Sequence, residues 1–242
     1  MKKTLFKDAA LLTLDPSLGF FEKGDLLIEG KHILEVGPSI KVSDADIVDA
    51  SDMVIMPGLV DTHRHVWQSV IRGIGTDWSL QTYLSKIYYG NYGAMRRPSD
   101  DRIANYLGAL EALDAGVTTF LDWTMINSMD HTEELIEGLK DAGIRAVFAF
   151  GTSGDAEYWD RESTLTNMED AARVKKAHFQ SSDQLLTMGL AIRGPEFSSW
   201  ETSVFEIETA RSLDALCSMH IGFGRRIDRL SAFTKQGYSG RI

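Results

Sequence analysis

After Pro57 the chain alternates short apolar runs with longer segments of helical spacing, and this alternation restricts the fold more than any other feature. Strands separated by helices form βα units and pair into a parallel sheet. Pro98-Ser99 and Asp130 stand where helices should begin, and Gly116 and Gly143 stand where they should end. The pattern predicts about five parallel strands, over residues 59–61, 117–121, 146–150, 185–192 and 216–221. The predicted helices cover residues 101–115, 132–142, 168–179 and 202–213.

Residues 1–56 follow a different pattern, with short β-rich runs and turns but no helical spacing. Two apolar runs, 26–28 and 33–36, flank the turn residues Glu29-Gly30-Lys31, which is typical of a β-hairpin. So few strands do not close a core of their own. We therefore expect two parts, an N-terminal β part over residues 1–56 and a βα part over residues 57–242.

Composition and charge exclude several functions. The formal net charge is −10, so the chain has no overall attraction for nucleic acid or for anionic membranes. No apolar run reaches the length of a membrane span, and Lys7 and Asp8 interrupt the N-terminal apolar stretch, which favours a first strand over a signal peptide. Cys217 is the one cysteine, which suits a reducing compartment. We expect a cytoplasmic protein that binds neither nucleic acid nor membrane.

The segment MPGLVDTHRH, residues 56–65, carries the strongest chemical signal. In a strand, residues two apart point to the same face, so His63 and His65 project together from the carboxyl end of a short apolar strand. Two imidazoles at that spacing can bind one metal ion, and Asp61 on the same face is placed to orient one of them. The alternative is a pair of ordinary surface or core histidines. The Pro-Gly turn and the apolar strand favour the metal, because parallel-sheet enzymes place their sites at strand carboxyl ends.

The same segment resembles the first-strand signature of the amidohydrolase superfamily, and most closely its cytosine deaminase, guanine deaminase and triazine hydrolase branch. Similar matches run along nearly the whole chain. Residues 1–56 resemble the amino-terminal part of the β-sandwich of that branch. EALDAGVTTFLDW (111–123) and GLKDAGIRAVFAFG (138–151) resemble its second and third barrel units. SMHIGFG (218–224) stands where the fifth strand of the family supplies a metal-binding histidine.

The resemblance implies a distorted (β/α)8 barrel that holds one divalent metal ion, usually zinc or iron. His63, His65 and His220 match three of the family's metal ligands, and we expect zinc in this chain. The family also uses a histidine from the sixth strand and an aspartate from the eighth, whereas no histidine follows His220 here and Asp228 is the only later carboxylate. Phe223 takes the position of a glutamate that often shuttles protons in this branch.

Chain length limits the barrel. A complete (β/α)8 barrel needs roughly 250 residues, and fewer than that follow Pro57. The predicted fold class is therefore α/β, an incomplete TIM-type barrel of about five βα units with a small N-terminal β-sandwich part. An open sheet of this size exposes a strand edge and apolar faces, so we also expect a homo-oligomer.

The resemblance also implies the reaction, which is hydrolysis of a C–N bond, or of a similar leaving group, on a cyclic amidine or heteroaromatic ring by metal-activated water. The expected substrate is a small purine, pyrimidine or triazine. Gln68, Glu196 and Trp78 are the candidate substrate contacts, the last in an aromatic-rich stretch between Val66 and Pro98 that reads as a loop or lid. Each has a plainer alternative, as a polar helix or loop residue, a solvated loop carboxylate and a packing aromatic.

Two other functions stay open on the sequence alone. In the first alternative, the chain is a truncated, non-catalytic product of such an enzyme and binds metal or a partner. In the second it is a dehydrogenase-like sheet, against which the lack of a G-x-G-x-x-G fingerprint counts. Bound metal without turnover would favour the truncated, non-catalytic product.

Overall fold

The computed structural model describes residues 2–88, 95–124, 129–151, 157–166, 168–222 and 235. The chain divides into two compact units, Met1–Gly58 and Leu59–Ile242. None of the helices in the described ranges has the length and apolar character that crossing a membrane requires.

The N-terminal unit holds five strands, β1 (Lys3–Leu12), β2 (Phe20–Glu29), β3 (His32–Gly37), β4 (Ala45–Asp49) and β5 (Val54–Ile55). They form one sheet in the order β3-β2-β1-β4, with β5 also paired to β1. The predicted hairpin is present, because β2 and β3 are antiparallel neighbours and Gly30 takes the left-handed conformation of a tight turn, with a φ of +59°. The buried carboxylate of Asp25 accepts hydrogen bonds from the backbone N–H groups of Asp8 and Ile40, at 3.0 and 2.9 Å.

The second unit holds five further strands, β6 (Leu59–Arg64), β7 (Val117–Trp123), β8 (Arg145–Phe150), β9 (Leu186–Ile192) and β10 (Leu216–Met219). All neighbouring pairs are parallel, and the strands lie in the order of the sequence. Five parallel strands in sequence order, joined by helices, are the arrangement of a partial (β/α)8 barrel, as predicted.

The helices of this unit are α1 (Leu80–Tyr83), α2 (Pro98–Asp114), α3 (Met129–Ala142), α4 (Glu169–His178) and α5 (Trp200–Ser212). The last four correspond to the four predicted helices. The start of α2 lies three residues before the predicted one because Pro98 occupies the first turn and the Asp100 carboxylate accepts the backbone N–H of Arg97, at 2.9 Å.

Helix α3 packs closely against α2. Its apolar face is fully buried, with Leu135, Ile136 and Leu139 each 0% exposed. A Cβ atom on Gly138 would lie 2.5 Å from the backbone oxygen of Arg102 in α2, closer than nonbonded atoms approach. Glycine at this position therefore sets the distance between the two helices that cover one side of the sheet.

The stretch between Val66 and Pro98, which the sequence predicts as a loop or lid, is largely helical where the structure describes it. A 3-10 helix covers Val66–Ile71, and α1 continues into a π-helical turn, Leu84–Tyr88. The Ser79 side chain caps α1 by accepting the N–H of Thr82, at 3.2 Å. Several apolar side chains of this stretch are buried, among them Val66, Trp67 and Ile87, so packing against the barrel part stabilises the helical turns. Residues 89–94, with two of the aromatics of the stretch, lie outside the described residues.

Candidate metal centre

Three imidazoles converge at one end of the parallel sheet. His63 and His65 stand at the carboxyl end of β6, and His220 directly follows β10. Their ligand nitrogens all lie within 4.8 Å of one another, and the Nε2 atoms of His63 and His220 are 3.1 Å apart. Strands β6 and β10 are the two edges of the five-stranded sheet. The ends of the edge strands meet only because the twisted sheet curls toward a barrel.

The protonation state of His65 follows from its hydrogen bond. Its Nδ1 atom lies 2.8 Å from the backbone oxygen of Trp123. A carbonyl oxygen can only accept, so Nδ1 carries the proton and Nε2 presents its lone pair. Burial, with smaller contributions from the neighbouring histidines, lowers the pKa of His65 to about 4. The imidazole is therefore neutral at physiological pH, the form that binds a metal ion.

His220 is held neutral for the same reason. Burial, and to a smaller extent the neighbouring His63, lowers the pKa of His220 to about 4. Its ring is nearly parallel to that of His65, with an interplanar angle of 10° and centroids 5.3 Å apart. His63 is nearly perpendicular to both, at 86° and 90°.

The segment that carries the histidine pair is fixed by two carboxylates. Asp61 accepts the backbone N–H of His63, at 3.1 Å. We expected Asp61 to orient an imidazole, but its short contact is to the backbone, and the carbonyl of Trp123 takes the place of an orienting acceptor. Asp122 is completely buried and accepts the backbone N–H of Val66 at 3.2 Å and the side-chain amide of Asn105 at 3.0 Å. Burial raises the pKa of Asp122 to about 7.

A buried ion pair supports the loop after β9. Arg193 and Glu206 have side chains that are 2% and 0% exposed, and their Nη2 and Oε1 atoms lie 2.9 Å apart. Burial raises the pKa of Glu206, against the opposing effect of Arg193. The guanidinium also lies over the ring of Tyr158, 3.7 Å from its centroid. Neither charged residue is among the predicted site residues, although a charge directly after an apolar strand, as at Arg193, is a usable signal.

The three candidate substrate contacts have defined neighbours. The Glu196 carboxylate accepts the backbone N–H of Gly222, at 2.7 Å. The side-chain amide of Gln68 donates to the hydroxyl oxygens of Tyr83 and Tyr88, at 2.6 and 3.1 Å. Trp78 is partly buried against the main core of the second unit. Phe223 and Asp228 lie outside the described residues.

An aromatic side chain absent from the prediction completes the site. Trp123 ends β7 and is 1% exposed. Its ring centroid lies 4.1 Å from that of His220 and 5.4 Å from that of His65. It packs on the small side chains of Ala149 and Ala191 from β8 and β9. The signal in the sequence is its position at a strand carboxyl end, where alternate residues face the site.

This donor set can hold a divalent cation. In tetrahedral zinc with Zn–N bonds of about 2.0–2.1 Å, two ligand nitrogens are about 3.3–3.4 Å apart, close to the 3.1 Å between the Nε2 atoms of His63 and His220. Neutral imidazoles are nitrogen donors that zinc and iron accept. Three protein ligands leave at least one position for a water molecule or a substrate atom.

Solved structures share this fold. The chain is similar to zinc-complexed atrazine chlorohydrolase from Arthrobacter aurescens, with a TM-score of 0.74 and 20% identity over 97% of this chain and 56% of that one. It is also similar to a zinc-bound adenosine deaminase from Xanthomonas campestris, with a TM-score of 0.71 and 19% identity over 98% of this chain and 53% of that one. At this level of identity the likeness concerns the fold alone.

Curated proteins are similar in sequence. The 5'-deoxyadenosine deaminase of Methanosarcina mazei is 32% identical over 177 residues, which cover 73% of this chain and 39% of that protein. The 5-methylthioadenosine/S-adenosylhomocysteine deaminase of Bacillus cytotoxicus is 31% identical over 77% of this chain and 42% of that protein. The chain therefore spans about half the length, or less, of the curated relatives it matches.

The family assignment rests on a match over most of the chain. The model of the amidohydrolase family matches residues 54–228, a range that contains the three converging histidines. The predicted resemblance is confirmed by this match and by the named deaminases among the relatives. The chain belongs to the amidohydrolase family.

Proposed function

We propose that His63, His65 and His220 together hold one divalent metal ion, zinc, as the centre of a hydrolytic site. The observation that carries this proposal is the convergence of His220, which directly follows β10, with His63 and His65 at the end of β6, with all ligand nitrogens within 4.8 Å of one another. The neutral state of His65 and His220 and the proton on Nδ1 of His65 support it, because a ligating imidazole needs a free lone pair. Iron is the alternative metal.

We further propose that the site serves deaminase-like hydrolysis of a C–N bond on a purine-type ring. The relatives named as 5'-deoxyadenosine and 5-methylthioadenosine/S-adenosylhomocysteine deaminases support this substrate class. The metal, when bound, would supply a Lewis acid that activates water at neutral pH. The carbonyl of Trp123 orients the ring of His65, and Asp61 holds the backbone of His63. Trp123 and Trp159, which lie near Ala149 and Ala191, exclude water from one wall of the site.

The roles of Gln68, Glu196 and Trp78 as substrate contacts stay predictions. The side-chain amide of Gln68 already donates to two tyrosine hydroxyls, which leaves its carbonyl oxygen as the group for an amino or ring N–H donor. A homo-oligomeric state and a cytoplasmic location also stay predictions, and light scattering of the purified protein would measure the oligomeric state.

Elemental analysis with histidine variants tests the metal site. We expect about one zinc ion per chain in the purified protein, and loss of that zinc in His63→Ala and His220→Ala. His32→Ala is the matched control, because His32 is an exposed histidine of β3 in the other unit. Zinc content that is equal in all variants would refute the assignment of ligands, and iron in place of zinc would correct the metal.

Ammonia release tests the reaction separately. The substrates to compare are 5'-deoxyadenosine, 5-methylthioadenosine, S-adenosylhomocysteine, cytosine, guanine and an amino-substituted triazine. We expect release from an adenosine-type substrate that is lost in His220→Ala and retained in His32→Ala. Stoichiometric zinc without release from any of these compounds would favour the alternative of a metal-binding, non-catalytic chain.

A further inference from the structure

Trp123 contacts two of the three imidazoles through different parts of the same residue. Its backbone oxygen accepts the Nδ1–H of His65, at 2.8 Å. Its indole meets the ring of His220 edge-on, with centroids 4.1 Å apart and an interplanar angle of 72°. The indole also meets the ring of His65 edge-on, at 5.4 Å and 82°. The indole also lies near the ring of His63, with centroids 6.4 Å apart and an interplanar angle of 52°.

The two contacts restrain different degrees of freedom. The carbonyl fixes the tautomer and the direction of the His65 ring, because the hydrogen bond aligns Nδ1 with the oxygen. The indole is a flat, rigid body wedged against both parallel rings, so it limits rotation of His220 about its side-chain bonds. Edge-to-face contacts of this kind are favoured by the charge distribution of aromatic rings.

The indole itself is immobilised by packing against the neighbouring strands. Trp123 is 1% exposed and packs on Ala149 and Ala191 of the neighbouring strands, whose small side chains leave room for the large ring. Tyr88 and Trp159 pack against the same cluster. The Nε1 atom of Trp123 has no hydrogen-bond partner within the described ranges, so the ring is held there by packing. A rigid support is what a group that orients metal ligands requires.

We infer that Trp123 is a positioning residue that holds His65 and His220 in the geometry in which they bind metal. This inference rests on the proposed metal site. The inference concerns the side chain of Trp123 and not its backbone carbonyl. Every substitution at this position keeps the carbonyl, so a side-chain variant tests the indole alone.

The test measures zinc affinity, by competition with a chromophoric chelator, in wild type, Trp123→Leu and Trp123→Phe. Leucine keeps an apolar side chain in the core but has no ring edge, whereas phenylalanine keeps an aromatic edge. We expect Trp123→Leu to bind zinc about 10-fold more weakly or worse, the range typical for loss of groups that orient metal ligands. Trp123→Phe should recover most of the affinity. Trp200→Leu is the control, because Trp200 begins α5 and packs, partly buried, against the main core of the second unit.

The visible spectrum of the cobalt-substituted proteins separates positioning from folding. The ligand-field bands of Co²⁺ report the geometry of its ligands, so we expect a changed spectrum in Trp123→Leu and a wild-type spectrum in Trp200→Leu. Wild-type zinc affinity and a wild-type cobalt spectrum in Trp123→Leu would overturn the inference and leave the metal site standing. Absence of zinc binding in the wild-type protein would overturn both.

Discussion

The Oε2 atom of Glu196 lies 2.7 Å from the backbone nitrogen of Gly222, so the loop after β9 is tied to the segment after β10. Gly222 has a φ of +86°, in the left-handed region where residues without a Cβ atom are favoured. His220 stands two residues earlier, already beyond the end of its strand. The carboxylate therefore restrains the backbone that presents the third imidazole.

Replacing Glu196 separates this restraint from the predicted substrate contact. Glu196→Ala removes the acceptor, and we expect zinc affinity to fall about fivefold, the equivalent of a net hydrogen bond of about 1 kcal/mol. Glu196→Gln keeps an acceptor oxygen and should bind zinc as the wild type does. Chelator competition measures both. A raised KM in Glu196→Gln at unchanged zinc affinity would support the substrate contact, and unchanged zinc affinity in Glu196→Ala would refute the restraint.

The sequence allowed prediction of the parts of the site that depend on local pattern. The two-residue spacing of His63 and His65 fixes their common face whatever surrounds them. His220 needed the family resemblance, because nothing local distinguishes it from a core histidine. Asp61 was expected to orient one imidazole of the pair, whereas the acceptor on Nδ1 of His65 is the carbonyl of Trp123, which belongs to the neighbouring strand. The register between strands decides such contacts, and the residue pattern of one strand alone does not reveal it.

Long-range buried charges were also beyond prediction. Arg193 and Glu206 are 13 residues apart and both are almost fully buried. Charged residues are rarely buried unless they are paired, so neither residue reveals its burial without the other. The helical content of the stretch after His65 was missed because short helices depend on tertiary packing, here of Val66 and Trp67, more than on their own propensity.

The close packing of α2 and α3 predicts a stability defect in Gly138→Ala. Alanine favours a helix by about 1 kcal/mol over glycine, but its Cβ atom would lie 2.5 Å from the Arg102 oxygen, and a backbone atom has little freedom to yield. Overpacking typically costs about 1–3 kcal/mol, so we expect a net decrease in the free energy of unfolding, measured by urea denaturation. Glu137→Ala, at a partly exposed position of the same helix, is the control. A Gly138→Ala protein as stable as the wild type would show that the helices can separate at no cost.

The buried carboxyl group of Asp122 predicts a specific pH dependence of stability. The pKa of Asp122 is about 7 in the folded protein and about 3.9 in an unfolded chain, so between these values the folded state binds more protons. The contribution of protonated Asp122 to the free energy of unfolding is therefore present at low pH and is lost as pH rises toward 7. We expect the stability difference between wild type and Asp122→Asn to fall, by up to about 4 kcal/mol, from pH 4 to pH 8. Parallel stability curves for the two proteins would contradict this.

The single cysteine is predicted to be unreactive in the folded protein. Cys217 lies in β10 and is 7% exposed, and burial raises the pKa of its thiol to about 12. Since the thiolate is the reactive form, alkylation at pH 8 should be about a thousandfold slower than for an ordinary cysteine. Denaturant should restore fast labelling. A Ser182→Cys variant provides the comparison within one protein, because Ser182 is exposed, and mass spectrometry should show one rapidly modified site at 182 and a protected Cys217.

The raised pKa of the Cys217 thiol also predicts how stability changes at alkaline pH. Above about pH 9 an unfolded chain has lost the thiol proton, whereas the folded protein keeps it up to about pH 12. The unfolded state then binds fewer protons, so the contribution of Cys217 to stability decreases as pH rises through this window. Cys217→Ala lacks the ionisable group and should lose less stability than the wild type between pH 8 and pH 11. Rapid labelling of native Cys217, or an equal alkaline loss of stability in both proteins, would show that the thiol is not buried as the structure places it.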